Sequence, residues 1–237
     1  MRLGSYVPRR WRVTCGTRLA RFVSSYDGGF PVRPLLLIAL AVGCYDPSTT
    51  CGEACALDAP APDAVVGAVA DTWFGQGAGD SGPHPYDPIL WVADPSTRVT
   101  LLRFDLATAP SGVLASAVLH FWVVNDSGDF VIAVSALLES WSEDTASWTD
   151  AATGVAWSTS GAEGAARGTV ATTFLVPTEG TTLDVGLPAE LVASWRDDPA
   201  HNYGLVLSGS SDMGDAAFAS REDLNPGHQP TLSLVLQ

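Results

Sequence analysis

The sequence predicts an all-β protein: a jelly-roll-like antiparallel β-sandwich with one short helix, preceded by a signal peptide and a flexible tether. Three observations favour this fold. Short apolar segments rich in aromatic and β-branched residues recur after residue 65, as is typical of strands. The last segment alternates, with Leu232, Leu234 and Leu236 on one face. The 23 Gly and 16 Pro supply turns, and many short strands joined by such turns indicate a sandwich or jelly roll.

An apolar stretch, residues 35–43, ends directly before Cys44. It is far shorter than the roughly 20 residues that a membrane helix needs, but it fits the apolar part of a signal peptide. A Cys that follows Ala41, Val42 and Gly43 resembles the bacterial lipobox, in which the Cys is acylated and becomes the first residue of the mature protein. We therefore expect export and a lipid anchor at Cys44. An ordinary secretory signal with an incidental Cys and a buried strand are the alternatives.

The signal lies far from Met1. Residues 1–31 carry six Arg and one Asp and have no helical or strand periodicity. A start at Val32 would give a compact signal peptide that leads directly into the lipobox, so the start codon stays open between the two positions. Residues 1–43, the N-terminal extension plus lipoprotein signal peptide, are therefore left out of the fold prediction.

Residues 44–64 predict a flexible tether, because they are rich in Pro, Ala, Asp and Thr and lack apolar periodicity. In an oxidising compartment, Cys51 and Cys55 are spaced for a small-loop disulfide. Free thiols and a metal site are the alternatives, although a zinc site would need two further ligands at suitable spacing and no His lies nearby. Residues 65–237 suffice for one domain with its own core.

Ten strands are predicted in this domain. They cover residues 68–74, 89–93, 99–105, 113–124, 130–138, 169–176, 181–185, 204–208, 216–220 and 231–236. The turn sequence at residues 125–129 predicts a hairpin between the fourth and fifth strands. A helix is predicted over residues 188–195, because Pro188 suits the first helical position and Leu191, Val192 and Trp195 share a face.

The charge balance excludes a nucleic-acid partner. From Cys44 onward the chain carries five Arg, no Lys and 25 Asp or Glu, a net charge of −20 with neutral His. Such a surface repels phosphate backbones. It favours solubility and attracts divalent cations.

No catalytic motif is present in the sequence. It contains no Gly-x-Ser-x-Gly elbow, no His-Glu-x-x-His and no P-loop, and its four His are scattered. Glu139 and Glu143, or Glu143 and Asp144, are the pairs that a glycosidase would use. Neighbouring loop carboxylates are common in a chain this acidic, so we expect a protein that is not an enzyme.

A series of short motifs in the domain resembles a known family. In order they are Ala70-Asp71-Thr72-Trp73, Leu101-Leu102-Arg103-Phe104-Asp105, Ala115-Ser116-Ala117-Val118-Leu119, Trp141-Ser142-Glu143 with Trp148-Thr149, Asn202-Tyr203-Gly204-Leu205, Phe218-Ala219-Ser220-Arg221-Glu222 and Pro230-Thr231-Leu232. Together they resemble DNRLRE-type domains, which are also classed with carbohydrate-binding module family 96, over essentially residues 65–237. The resemblance implies a non-catalytic jelly-roll sandwich, secreted or surface-bound, with polysaccharide binding in some members.

Aromatic residues are the candidates for sugar contacts, because their faces pack against the C–H-rich faces of pyranose rings. We expect Trp141 and Trp148 to pack in the core, since buried Trp is common in a domain of this size. Tyr86, Trp91 and Trp157 are therefore the predicted ligand-binding residues.

A structural calcium ion is the one cofactor considered. Asp71 lies near the first strand of the domain and Glu222 near the last. If those strands are neighbours, the two carboxylates come together, and carboxylate oxygens are the ligands that calcium prefers.

The leading hypothesis is a monomeric, non-catalytic lipoprotein that binds polysaccharide at the cell surface or outer membrane, facing outward or into the periplasm. The competing hypothesis is a structural or protein-interaction module of the envelope without a sugar ligand. Exposed aromatics on a sheet face would favour the first hypothesis, and a flat surface rich in Ala, Ser and Thr would favour the second.

Overall fold

A computed structural model describes residues 14–16, 19–21, 61–93, 97–126, 128–210 and 214–237. The chain divides into two units, Met1–Asp58 and Ala59–Gln237. In the first unit, the described residues form two short antiparallel strands, β1 (Thr14–Gly16) and β2 (Leu19–Arg21). The predicted signal peptide, Cys44, the pair Cys51 and Cys55, and all but the last residues of the tether lie outside the described residues.

The described part of the second unit contains twelve strands, one α-helix and two short 3-10 turns. The strands are β3 (Ala64–Gly75), β4 (Ile89–Ala93), β5 (Arg98–Phe104), β6 (Leu114–Asp126), β7 (Val131–Leu137), β8 (Asp150–Ala152), β9 (Val155–Ala156), β10 (Arg167–Leu175), β11 (Thr182–Leu187), β12 (Leu205–Gly209), β13 (Asp215–Ala219) and β14 (Thr231–Leu236). The helix is α1 (Ala189–Asp197), and the 3-10 turns are Gly164–Ala166 and Pro199–His201. No helix in the described part of the chain has the length and apolar character needed to span a bilayer.

Apart from β8 and β9, which pair with each other, the strands of this unit form an antiparallel sandwich of two sheets. Sheet A has the order β10-β7-β12-β5-β3, and sheet B has the order β3-β14-β6. Strand β6 also pairs with β11 and with β13, and β13 in turn pairs with β4. Strand β3 belongs to both sheets, since residues 64–67 pair with β14 and residues 68–75 pair with β5. A register shift between Ala68 and Ala70 marks the change of partner, as is usual where a strand turns the corner of a sandwich.

The main core lies between the two sheets. Large side chains from both sheets meet there, including Phe104 of β5, Phe121 of β6 and Phe218 of β13, all buried. Helix α1 adds Val192 and Trp195 to the same core.

A second core lies on the other side of sheet A. The segment of residues 138–166 packs Trp141 and Trp157 against Phe74, Leu101 and Val206. The inner strands of sheet A are therefore buried on both faces, which explains why β5 and β12 consist of nearly continuous apolar residues rather than alternating ones.

The all-β sandwich with one short helix is confirmed, and each of the ten predicted strands is present, with 89–93 and 231–236 correct to the residue. The helix begins one residue later than predicted, because Pro188 is its N-cap. Strands β8 and β9 have no counterpart in the sequence analysis.

The predicted hairpin between the strands at 113–124 and 130–138 is wrong. These strands are β6 and β7, and they lie in different sheets: β6 pairs with β11, β13 and β14, whereas β7 pairs with β10 and β12. Turn residues allow the chain to reverse, but they do not select the partner strand. Here the connection crosses from sheet B to sheet A, so that β7, buried on both faces, occupies the interior of sheet A.

Candidate functional site

The outer face of sheet B carries polar side chains from adjacent strands. Residues opposed across an antiparallel pair point to the same side. The register opposes Thr182 of β11 to Trp122 of β6, and Asp184 to His120. On the other side of β6, Thr231 of β14 also opposes His120. These side chains thus share one face, and Trp122 is the aromatic residue of β6 among them.

Strand alternation places Trp122 on this face. Its neighbours Phe121 and Val123 are buried in the core, so the residue between them points outward. Trp122 is half-buried, because the imidazole ring of His228 lies parallel to the indole, with ring centroids 4.0 Å apart and an interplanar angle of 5°. The amide nitrogen of Asn225 donates to Nε2 of His228 at 2.9 Å, so the proton of the neutral imidazole is on Nδ1, 3.8 Å from Oδ1 of Asp223.

A shallow groove of about 440 Å³ opens beside this stack. Its polar lining consists of Glu179, Asp223 and His228, and its aromatic wall is Trp122. The groove therefore combines an aromatic side chain with carboxylates that accept hydrogen bonds, and its volume is within the range of small-molecule sites.

His120 extends the polar surface along β6, about 7 Å from Trp122 at the usual rise per residue. The carboxylate of Asp184 lies 2.7 Å from Nδ1 of His120, and the hydroxyl of Ser233 lies 2.8 Å from Nε2. A carboxylate only accepts, so Nδ1 donates to Asp184, and the hydroxyl of Ser233 donates to Nε2 of the neutral ring. Both ring nitrogens of His120 are thus already paired.

A second polar site lies at the edge of the second core, where Asp71, Glu143 and Glu222 meet. Each offers a carboxylate oxygen, and these oxygens lie within 4.8 Å of one another. The backbone amide of Asp71 donates to Oε1 of Glu143 at 2.8 Å, and that of Arg221 donates to Oδ2 of Asp71 at 2.8 Å. Strand β3 thereby holds both the segment after β7 and the turn after β13.

Arg221 pairs with two of these carboxylates. Its Nε donates to Oε1 of Glu143 at 3.0 Å and lies 3.0 Å from Oε1 of Glu222, and its Nη2 donates to Oε2 of Glu143 at 3.2 Å. Burial raises the pKa of Asp71 to about 8, opposed by the hydrogen bond from the Arg221 amide and reinforced by the charges of Glu222 and Glu143. Asp71 and Glu143 therefore differ in environment. The carboxyl of Asp71 is buried, whereas the carboxylate of Glu143 forms an ion pair with the guanidinium of Arg221.

The sequence model of carbohydrate-binding module family 96 matches residues 62–235. The chain belongs to carbohydrate-binding module family 96. The match covers the sandwich from β3 almost to the end of β14 and confirms the resemblance inferred from the short motifs. No curated protein matches the chain. The family is one of carbohydrate-binding modules, which are typically non-catalytic.

The family 96 module places the three predicted sugar-contacting residues in different environments. Tyr86 is 76% exposed, and its hydroxyl donates to Oδ1 of Asp144 at 3.2 Å. Trp91 is half-buried against the core, with the guanidinium of Arg98 5.5 Å from its ring centroid. Trp157 is 5% exposed.

The prediction for Trp157 is corrected by its burial. Its indole nitrogen donates to the backbone oxygen of Ser147 at 2.8 Å, and its ring packs near Phe74, 6.1 Å between centroids. A ring in the second core has no free face for a sugar. The prediction failed because most of residues 138–166 lack a predicted strand or helix and were therefore expected to form an exposed loop, whereas in this structure they cover sheet A. Trp141 is buried and Trp148 is half-buried in the same core.

The two residues predicted to hold calcium, Asp71 and Glu222, do lie together in this family 96 module. The third carboxylate, Glu143, was considered in the sequence only as half of a glycosidase pair. It could not be assigned to the cluster because it lies 72 residues from Asp71.

Sequence reasoning also missed Trp122 and His228. The outward direction of Trp122 follows from the alternation within β6, a signal that was available. His228 lies in the turn before β14, and no sequence signal places its ring against an indole on another strand.

Proposed function

We propose that this module binds a polysaccharide without catalysis, and that the sugar lies in the groove beside Trp122 and His228. The observation that carries the proposal is the indole on the outer face of sheet B, held by a parallel imidazole next to two carboxylates. The stack fixes the ring before a ligand arrives, which lowers the entropy lost on binding. A pyranose ring can then pack its C–H face on the aromatic wall while its hydroxyls donate to Glu179 and Asp223.

The charge of the domain favours a neutral glycan. Between residues 62 and 235 there are five Arg and 22 Asp or Glu, a net charge of −17 with neutral His. The groove adds Glu179 and Asp223 without a facing Arg among its lining residues. A uronate or sulfate group would be repelled there, whereas neutral hydroxyls find acceptors.

We also propose that the module is exported and held on the membrane by lipid at Cys44, as the lipobox-like sequence indicates. A tether between lipid and sandwich would let the groove reach glycans at the cell surface or in the periplasm.

A glycan screen with the purified full-length chain tests the binding proposal. Trp122→Ala should lower affinity for any bound neutral polysaccharide by about tenfold or more, the size expected for an aromatic anchor. Tyr86→Ala is the matched control, because Tyr86 is an exposed aromatic at the other polar site. Unchanged affinity in Trp122→Ala, or a loss confined to Tyr86→Ala, would move the site away from the groove.

A structural or protein-interaction module is the second candidate. It is favoured by the edge strand β10 of sheet A, which exposes Val170 and Leu175. An exposed edge strand with apolar side chains is a surface to which another chain can add a strand. If the screen finds no glycan, Val170→Lys in a pull-down against envelope proteins tests this candidate, because a Lys on the edge opposes strand addition.

A further inference from the structure

The carboxylate of Asp71 is buried and incompletely paired. The residue is 1% exposed, in the middle of β3. Its Oδ2 accepts the hydrogen bond from the Arg221 amide, but its Oδ1 has no hydrogen-bond partner among the described residues. A buried carboxylate oxygen without a partner is costly, so an unpaired one points to a group that completes it.

The neighbours of Asp71 are carboxylates rather than donors. One carboxylate oxygen each from Asp71, Glu143 and Glu222 lie within 4.8 Å of one another. The charges of Glu222 and Glu143 both act on the carboxyl of Asp71. The side chains of Glu143 and Glu222 are 18% and 21% exposed, so water screens them only partly. Three ionised carboxylates against the one guanidinium of Arg221 would leave a charge of −2, which one divalent cation neutralises.

We propose that Asp71, Glu143 and Glu222 bind a calcium ion, with Oδ1 of Asp71 as its buried ligand. The ligand set consists of oxygens, without the imidazole or thiolate that favours zinc or copper. Calcium accepts six to eight oxygens in irregular geometry, whereas Mg²⁺ requires a near-ideal octahedron and usually keeps several waters. The ion would lie between three segments that are distant in sequence: β3, the segment after β7 and the turn after β13.

A shared proton is the competing arrangement. In the absence of a cation, a proton shared between the carboxyls of Asp71 and Glu222 would give Oδ1 of Asp71 a partner instead. Calcium would displace this proton, since metal ligands bind as carboxylates. The two arrangements differ in their response to Asp71→Asn, because an amide imitates the protonated carboxyl in shape but carries no charge for the ion.

Calcium titration of the purified full-length protein, first treated with a chelator, separates the two arrangements. We expect calcium to bind with a saturable heat and to raise the Tm, and Mg²⁺ alone to give a much smaller shift. Asp71→Asn and Glu222→Gln should fold but lose the calcium-dependent rise. Glu190→Gln, at an exposed position in the first turn of α1, is the matched control and should keep it.

The absence of both heat and Tm shift in the wild-type protein would overturn the proposal. So would an Asp71→Asn variant that keeps the full calcium response, since the ion would then lie elsewhere. If Asp71→Asn does not fold, Glu222→Gln decides the question, because its side chain is at the rim of the cluster and Arg221 keeps its partner Glu143 in that variant. Neither outcome depends on glycan binding, so failure here leaves the proposed function standing.

Discussion

The backbone amide of Asp71 donates a 2.8 Å hydrogen bond to Oε1 of Glu143, 72 residues away in the sequence. This bond joins the strand shared by both sheets to the segment that covers the outer face of sheet A. Because Oε1 of Glu143 also accepts from Nε of Arg221 at 3.0 Å, one carboxylate connects three parts of the chain. Glu143 therefore contributes to fixing the segment that covers the second core.

Removing Glu143 should destabilise the domain. Glu143→Ala leaves the amide of Asp71 without its acceptor and removes one of the two carboxylates that pair with Arg221. Hydrogen bonds to a charged group contribute about 1.5–3 kcal/mol. The free energy of unfolding, measured in denaturant, should fall by that amount. Asp129→Ala, at an exposed position, is the control and should change it by less than about 0.5 kcal/mol. Equal stability of the two variants would contradict the role assigned to Glu143.

Leu102 is a core position of sheet A, with no exposed surface. Leu102→Ala should lower the free energy of unfolding by about 2–5 kcal/mol, because the lost side chain leaves a cavity. Leu224→Ala removes the same atoms from a side chain that is 99% exposed, so it should be nearly neutral. A melting temperature of Leu102→Ala equal to that of the wild type would contradict the burial of Leu102 in the core.

Gly204 precedes β12 with a φ of +86°, a conformation that residues with a Cβ rarely adopt. A Cβ at this position would also overlap the backbone oxygen of Leu102. Gly204→Ala should therefore cost more than about 1 kcal/mol of stability. Gly186→Ala is the matched control, because Gly186 has open space around it and lies in β11. Comparison of the two Tm values checks the prediction, and a tolerated Ala at position 204 would contradict the turn geometry.

Trp157 and Trp122 should respond oppositely to truncation. Trp157→Ala leaves a cavity in the second core and should lower the free energy of unfolding by about 3–5 kcal/mol. Trp122→Ala should change stability less and weaken glycan binding instead. Melting and affinity measured on both variants test the distinction. A Trp157→Ala variant as stable as the wild type would contradict the burial of this ring in the second core.

The lipid anchor predicts a specific chemical change at Cys44. Protein extracted from membranes of the expressing bacterium should carry a diacyl or triacyl group on that residue, visible as added mass on an intact mature chain. Cys44→Ser should abolish the modification and either release the protein from the membrane or block its processing. Cys15→Ser is the control, because that residue precedes the predicted cleavage point. A soluble mature protein that starts elsewhere would refute the anchor.

Local sequence patterns determined the elements of this protein. Alternation and β-branched or aromatic content predicted each of the ten strands named from the sequence. An apolar helix face with Pro at its first position predicted α1 within two residues at either end. These patterns work because side-chain direction repeats every two residues in a strand and every 3.6 in a helix, whatever the rest of the fold does. The order of short motifs was also sufficient to identify the family.

The tertiary structure alone decided which elements meet. The turn at 125–129 allowed either a hairpin or a crossing between sheets, and the need to bury both faces of β7 selected the crossing. The same packing buried Trp157, stacked His228 on Trp122, and brought Asp71 to Glu143 and Glu222. Such contacts join residues that are distant in sequence, and they form only because burying apolar area across the whole domain offsets the chain entropy lost in closing long loops.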